Sequence, residues 1–356
     1  MPVELDAGIA DALAAALLFG ASVPLAKLLA GEISPLLLAG LLYLGSATAV
    51  AGFSALRSLL SPSAVRREAR ITRADLPVLA AAIVAGGIVA PALFITGLRA
   101  ANGADAALLL NSENVFTALL AWFVFREHVD RRIAAGMAAI VAAGVLLVWP
   151  ATGHTTGNVW GLLAVTGACL AWAVDNNLTR RISARDPLQI AAAKGLAAGT
   201  VNTALGLHAA GAVLPHPAGT AAALAVGAAG YGLSLVLYVL ALRRIGAART
   251  GAYFALAPFV GAVATMAIPG EHPGTLFWPA CALMAIGVWL HLSEHHSHPH
   301  DHEALTHDHS HRHDEHHRHT HDFPWDGREP HAHPHHHPPL THSHRHYPDQ
   351  HHTHRH

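Results

Sequence analysis

The chain has 356 residues, of which 52% are hydrophobic and 13% charged, with a formal net charge of -1 and two cysteines; its mean hydropathy is +0.35. A charge this close to zero gives no basic surface for a nucleic acid, and two cysteines make no disulfide framework. What remains is the composition of an integral membrane protein.

In chain order, Glu4, Asp6 and Asp11 stand where a secretory leader would carry basic residues, so the start is not read as a signal peptide. Segments of about 20 mainly apolar residues then recur, the length that spans a bilayer core as helix. Ten spans are expected, near 8 to 29, 34 to 56, 76 to 98, 104 to 125, 132 to 149, 157 to 178, 187 to 209, 218 to 242, 247 to 268 and 274 to 292. With a cytoplasmic N-terminus, the internal loops carry Arg57, Arg66, Arg67, Arg70 and Arg73, then Arg126, Arg131 and Arg132, then Arg180, Arg181 and Arg185, then Arg243, Arg244 and Arg249. Arg99 alone falls outside. That asymmetry predicts both termini on the cytoplasmic side of a plasma (inner) membrane of bacterial type. Cys169 and Cys281 lie in spans, where they pack as small hydrophobes.

Sliding the chain on itself by 144 residues aligns Gly97 to His128 with Ala241 to His272 without a gap, and an offset of 152 places Pro35 on Pro187. The fold class expected is therefore an all-α membrane protein of ten helices in two five-helix repeats, 1 to 150 and 157 to 292, followed by a disordered tail over 293 to 356. An odd number of spans per half inverts the second copy. Inverted repeats are an architecture of secondary transporters, with the substrate near the midplane.

Three stretches carry a family resemblance. They are Leu93-Phe94-Ile95-Thr96-Gly97-Leu98-Arg99, Ala104-Asp105-Ala106-Ala107-Leu108-Leu109 and Val115-Phe116-Thr117-Ala118-Leu119-Leu120-Ala121-Trp122, closed by Glu127. The second copy shows Ala255-Leu256-Ala257-Pro258-Phe259-Val260 and closes with Glu271. Over roughly 11 to 292 the chain resembles the EamA-type module of the drug/metabolite transporter superfamily. The resemblance implies a ten-helix inner-membrane permease with cytoplasmic termini, moving small metabolites or drugs, often outward by proton exchange. Where the family pattern carries Pro in its fourth helix, this chain has Asn114, preceded by Glu113, which puts a helix break there in question; the second copy keeps Pro258.

Glu113 lies about ten residues into its span, near the bilayer centre at 1.5 Å rise per residue. Ionisable groups at that depth are costly and mark substrate or proton pathways. With Asn111 and Asn114 it makes the fourth span the most polar. Asp175 and Asn176, at the end of the sixth span, either line the inner mouth of a pathway or cap the helix. Lys194, in the seventh span, either snorkels to the surface or pairs with Asp175, and Lys27 is expected to snorkel. Glu113, Asn114, Asn111, Asp175, Asn176 and Lys194 form the candidate transport set. Gly157 with Gly161 and Gly195 with Gly199 are read as packing.

The tail holds 25 of the 31 histidines. His-x-His recurs at His296/His298/His300/His302, His307/His309/His311/His313 and His342/His344/His346, so neighbouring imidazoles can close on one Ni²⁺, Zn²⁺ or Co²⁺ ion. A merely solvated tail and a pH-responsive tail are the alternatives. No Walker loop, kinase set or catalytic triad stands in a credible context, so no enzyme activity and no required cofactor is expected. Three functions remain in play: a proton-coupled transporter linked to metal handling, an exporter of an amino acid or other small organic solute, and a membrane-anchored metal buffer or sensor. The partners expected are the bilayer and a small-molecule or metal-ion substrate, with a homodimer open to it.

Overall fold

The computed structural model describes residues 2–60, 70–125, 131–148, 158–182, 185–209, 215–268, 272–292, 296–302, 305–311, 331–337 and 340–346. In the first half, α1 (Pro2–Ala30) and α2 (Pro35–Leu60) are followed by a 3-10 turn at Arg73–Asp75. A continuous rod then runs through α3 (Leu76–Ala82), a π-helical turn (Ile83–Val89) and α4 (Ala90–Ala100). After it come α5 (Gly103–Leu109), α6 (Ser112–Phe125) and α7 (Arg131–Val148). The second half contains α8 (Val159–Arg180), α9 (Pro187–Ala209) and α10 (Pro217–Val226). A second π-helical turn (Gly227–Leu233), α11 (Ser234–Phe254), α12 (Ala257–Ala267) and α13 (Phe277–Leu292) complete it. The helices α2, α9 and α10 open on proline, whose missing N–H is no loss in a first turn.

The two π-helical turns lie 144 residues apart at both ends, the offset of the sequence repeat. Packing repeats as well. Helix α2 lies on α9, α7 on α13, α4 on α8 and α1 on α11, so each of these pairs joins one half to the other. Lipid tails are as apolar as leucine, so such contacts depend on close fit more than on escape from water. Glycine supplies the fit between α2 and α9: a Cβ at Gly206 would lie 2.5 Å from the Leu37 nitrogen, and one at Gly40 would lie 2.4 Å from the Thr203 nitrogen. Gly195 and Gly199 of α9 likewise face Ala47 and Leu44.

Among the described residues five helices are long and apolar enough to cross a membrane: Ala7–Ala30, Pro35–Arg57, Arg73–Ala100, Val159–Arg180 and Pro217–Leu242. Shorter apolar helices cover Ala134–Leu147, Ala257–Ala267 and Phe277–Leu290. Exposed tryptophans sit close to helix ends, Trp160 at 77% and Trp278 at 63% exposure at the starts of α8 and α13, with Trp122 and Trp289 near the ends of α6 and α13. That is where an aromatic belt meets a membrane interface.

Two expectations about the spans change. Although Asn114 replaces the family's proline, the fourth span is broken: α5 stops at Leu109, Leu110 and Asn111 form a turn, and α6 restarts at Ser112. Asn111 stabilises the turn, its Nδ2 donating to the Leu108 carbonyl at 3.2 Å. Conversely, the loop expected between 242 and 247 is helix, because α11 runs unbroken to Phe254. The repeat explains the difference. Asn102 caps α5, its Oδ1 accepting from Ala104 N at 2.9 Å and Asp105 N at 3.3 Å, whereas the residue 144 further on is Gly246, which has no side chain to cap with.

The tail also departs from expectation. It was expected to be disordered, yet β1 (His296–His302) pairs antiparallel with β4 (Leu340–His346), and β2 (Leu305–His311) with β3 (His331–His337). The fold class is thus all-helical only up to Leu292. Alternation of histidine with small or polar residues is a period-two pattern, which suits extended backbone.

Candidate functional site

The site begins at the first π-helical turn. Within it, Ala90 N donates five residues back to the Ala85 carbonyl, and Pro91 has no N–H to give to Gly87. The carbonyls of Gly86 and Gly87 are thereby opened to side-chain donors. Tyr43 Oη from α2 and Trp172 Nε1 from α8 donate to the Gly86 oxygen at 2.9 and 3.0 Å, and Asn202 Nδ2 from α9 donates to the Gly87 oxygen at 2.7 Å. Three helices converge on one irregular turn. Single π-bulges of this kind concentrate at functional sites.

Gly86 also makes room for a charge. A Cβ there would lie 2.0 Å from Asp175 Oδ2, so only glycine lets the α8 carboxylate lie against this turn. Lys194 Nζ donates to both oxygens of Asp175 at 2.6 Å and to Thr179 Oγ1 at 3.2 Å. Thr179 in turn donates to Asp175 Oδ1 at 2.9 Å. Of the two fates open to Lys194, pairing is the one adopted, because Asp175 is buried and an unpaired charge there would be costly.

One helical step away, Asn176 Nδ2 donates to Glu113 Oε1 at 2.7 Å and makes a longer contact of 3.4 Å with Thr117 Oγ1. Asn177 Nδ2 holds the same α6 segment through the Thr117 carbonyl at 3.2 Å. The broken fourth span of the first half is thus tied to α8 of the second half by amide side chains. Glu113 is half-buried and stands in the first turn of α6, directly after the break. Glu113 and Asp175 give the cluster two carboxylates for the one ammonium of Lys194. A proton on Glu113 would neutralise it.

Of the residues named from sequence, Glu113, Asn176, Asp175 and Lys194 fall into this cluster. Asn111 is fully buried and serves the turn instead, with its Oδ1 left unpartnered. Asn114 is exposed. Lys27 does not snorkel: its Nζ donates to the Ala101 carbonyl across the bundle. Tyr43, Trp172, Thr117 and Asn202 were not singled out, although the Gly86-Gly87 pair followed by Pro91 inside an apolar span was a legible sign of an irregular helix. Among the described residues no group of three or more His, Cys, Asp or Glu comes together. His313, Gly157, Glu127 and Glu271 lie outside the described residues.

Known proteins fit this arrangement. The model of the EamA-like transporter family matches residues 6–149 and again 159–293, the two halves seen in the repeat. A protein of Methanothermobacter thermautotrophicus described as an uncharacterized transporter is 28% identical over 307 residues, spanning 80% of this chain and 85% of its own length. A protein of solved crystal structure, 21% identical, superposes with a TM-score of 0.57 over 79% of this chain and 95% of its own, a likeness of fold alone. With the family model covering nearly the whole helical body and the two halves interlocked helix by helix, this multi-pass membrane protein belongs to the EamA-like transporter family.

Proposed function

We propose that the chain is a proton-coupled secondary transporter of a small polar organic solute. Ten spans in two inverted repeats would set it in a bacterial-type inner membrane with both termini cytoplasmic. The observation that carries the reading is the Glu113 to Asn176 hydrogen bond, 2.7 Å long. It joins the broken helix of one half to the other half, one residue from the Asp175 to Lys194 ion pair. Proton arrival at Glu113 changes the charge of a cluster on which both halves close, so protonation and conformation are linked there. The donors of the cluster are one ammonium, two carboxylates and amides, a set suited to a solute with its own charged and hydrogen-bonding groups. A bare metal ion as cargo is disfavoured by that set, and a mere membrane anchor has no use for it.

The tail, on this reading, is a cytoplasmic binder of Ni²⁺, Zn²⁺ or Co²⁺ that links transport to metal handling. The test is purified protein in proteoliposomes under an imposed pH gradient, with a pH dye reporting proton flux against a panel of amino acids, other small metabolites and metal ions. Solute-dependent proton movement in the wild type and its loss in Glu113→Gln is the expected result. Transport by Glu113→Gln with unchanged pH dependence would return Glu113 to a structural role. Reporters fused after Leu292 should read cytoplasmic, and those inserted at Gly153 or Gly211 external.

A further inference from the structure

The cross-strand register of the tail pairs histidine with histidine. In the outer ladder His296 lies opposite His346, His298 opposite His344 and His300 opposite His342. In the inner ladder His307 lies opposite His335, His309 opposite His333 and His311 opposite His331. Because residues two apart on a strand share a face, the outer ladder gathers His296, His298, His300, His342, His344 and His346 on one face. Its other face carries Ser297, Pro299 and Asp301 against Arg345, Ser343 and Thr341. The inner ladder segregates in the same way. A one-residue slip would break every one of these pairs.

We propose that the two ladders are metal-bridged ribbons, in which opposed histidines of the two arms share a Zn²⁺-class ion. The inference rests on the reading of the tail as a metal binder and adds how the ion is held. Its physical warrant is twofold. Opposed positions on an antiparallel pair have Cβ atoms about 5 Å apart, a gap that two imidazoles with metal–nitrogen distances of about 2 Å can close. Two neighbouring opposed pairs, such as His298, His300, His342 and His344, supply the four nitrogens of a tetrahedral shell. The second warrant is stability. A lone two-stranded ribbon is marginal in water, and these strands carry almost no apolar residue beyond Leu305 and Leu340. Cross-links through metal stabilise a small element that has no hydrophobic face.

Bound Zn²⁺ is counted on the full-length protein in detergent, against the chain truncated after Leu292. Two triads are replaced by Gln, His296/His298/His300 and His342/His344/His346, singly and together. Shared ions predict that either triad alone removes the same ions and that the combination removes no more. In a parallel measurement, spin labels at Ser297→Cys and Arg345→Cys, with Cys169 and Cys281 changed to Ala, should draw into one short, narrow distance distribution on adding Zn²⁺ and separate again with chelator. Losses that add between the two arms, or labels that ignore Zn²⁺, overturn the ribbons while leaving the tail a metal binder. Equal Zn²⁺ content in full-length and truncated chains overturns both readings.

Discussion

The two halves share a skeleton but not a chemistry. Each has a π-helical turn at the same place in its repeat, yet the surroundings differ at every charged position. Gly86 lies against Asp175, while its counterpart Gly230 lies against Ser22, whose hydroxyl merely bonds back to the Phe19 carbonyl at 2.6 Å. By the repeat offsets Glu113 corresponds to Ala257, Lys194 to Leu42 and Pro91 to Leu235. The comparison separates what the scaffold needs from what the site needs. Glycine at a close helix approach serves both halves, whereas carboxylate, ammonium and proline belong to the first π-turn alone. An interlocked two-fold scaffold can therefore keep its packing while charge accumulates on one side of the pseudo-axis.

The sharpest way to break this asymmetry is to remove its charge without changing its shape. Glu113→Gln keeps size and hydrogen bonding but cannot carry a proton, and transport in proteoliposomes should drop to background while the protein remains inserted and folded. Normal rates in that variant would make the first half as passive as the second.

Next in size is the ion pair. Lys194→Met leaves Asp175 buried and uncompensated, which should cost about 3 to 5 kcal/mol. Thermal unfolding in nanodiscs is the measure. The double variant Lys194→Met with Asp175→Leu should recover most of that loss, because the first half then resembles the second, where Leu42 occupies the equivalent of Lys194. A double variant no more stable than the single one would mean the pair is not the coupled unit described.

The two glycines give a matched pair. Gly86→Ala and Gly230→Ala both drive a Cβ into a neighbour, at 2.0 Å and 2.4 Å respectively, and each should destabilise by about 1 to 3 kcal/mol. Only Gly86→Ala displaces Asp175. It alone should slow transport beyond what its loss of folded protein explains, and equal transport defects would erase the distinction between the turns.

The smallest effects test the caps. Asn102→Ala should cost about 1 kcal/mol by removing the α5 cap, while Gly246→Ala should gain up to about 1 kcal/mol in the interior of α11. Changes of the same sign would contradict the account of why one half breaks and the other runs on.

Much of the site was legible because ionisable residues are rare in apolar spans. Glu113, Asp175 and Lys194 each stood out against that background, and the fate of Lys194 was already narrowed to pairing or snorkelling. Tyr43 and Trp172 were not legible in the same way, since an aromatic residue in a span is ordinary packing until a free carbonyl is brought opposite it. That carbonyl exists only because the helix changes register before Pro91. The break after Leu109 escaped for the opposite reason: proline was sought as its cause, and Asn111 does the work through a side-chain bond to its own backbone.

The sequence by itself determined the membrane setting, the twofold repeat and which residues carry charge, because hydropathy and internal similarity are properties of the chain alone. Tertiary structure decided the rest. Only packing brings Asp175 and Asn176 of α8 against Gly86 and Glu113, which lie 62 to 89 residues away along the chain. Only the approach of α9 turns Lys194 from a solitary cation into the partner that makes the buried carboxylate tolerable.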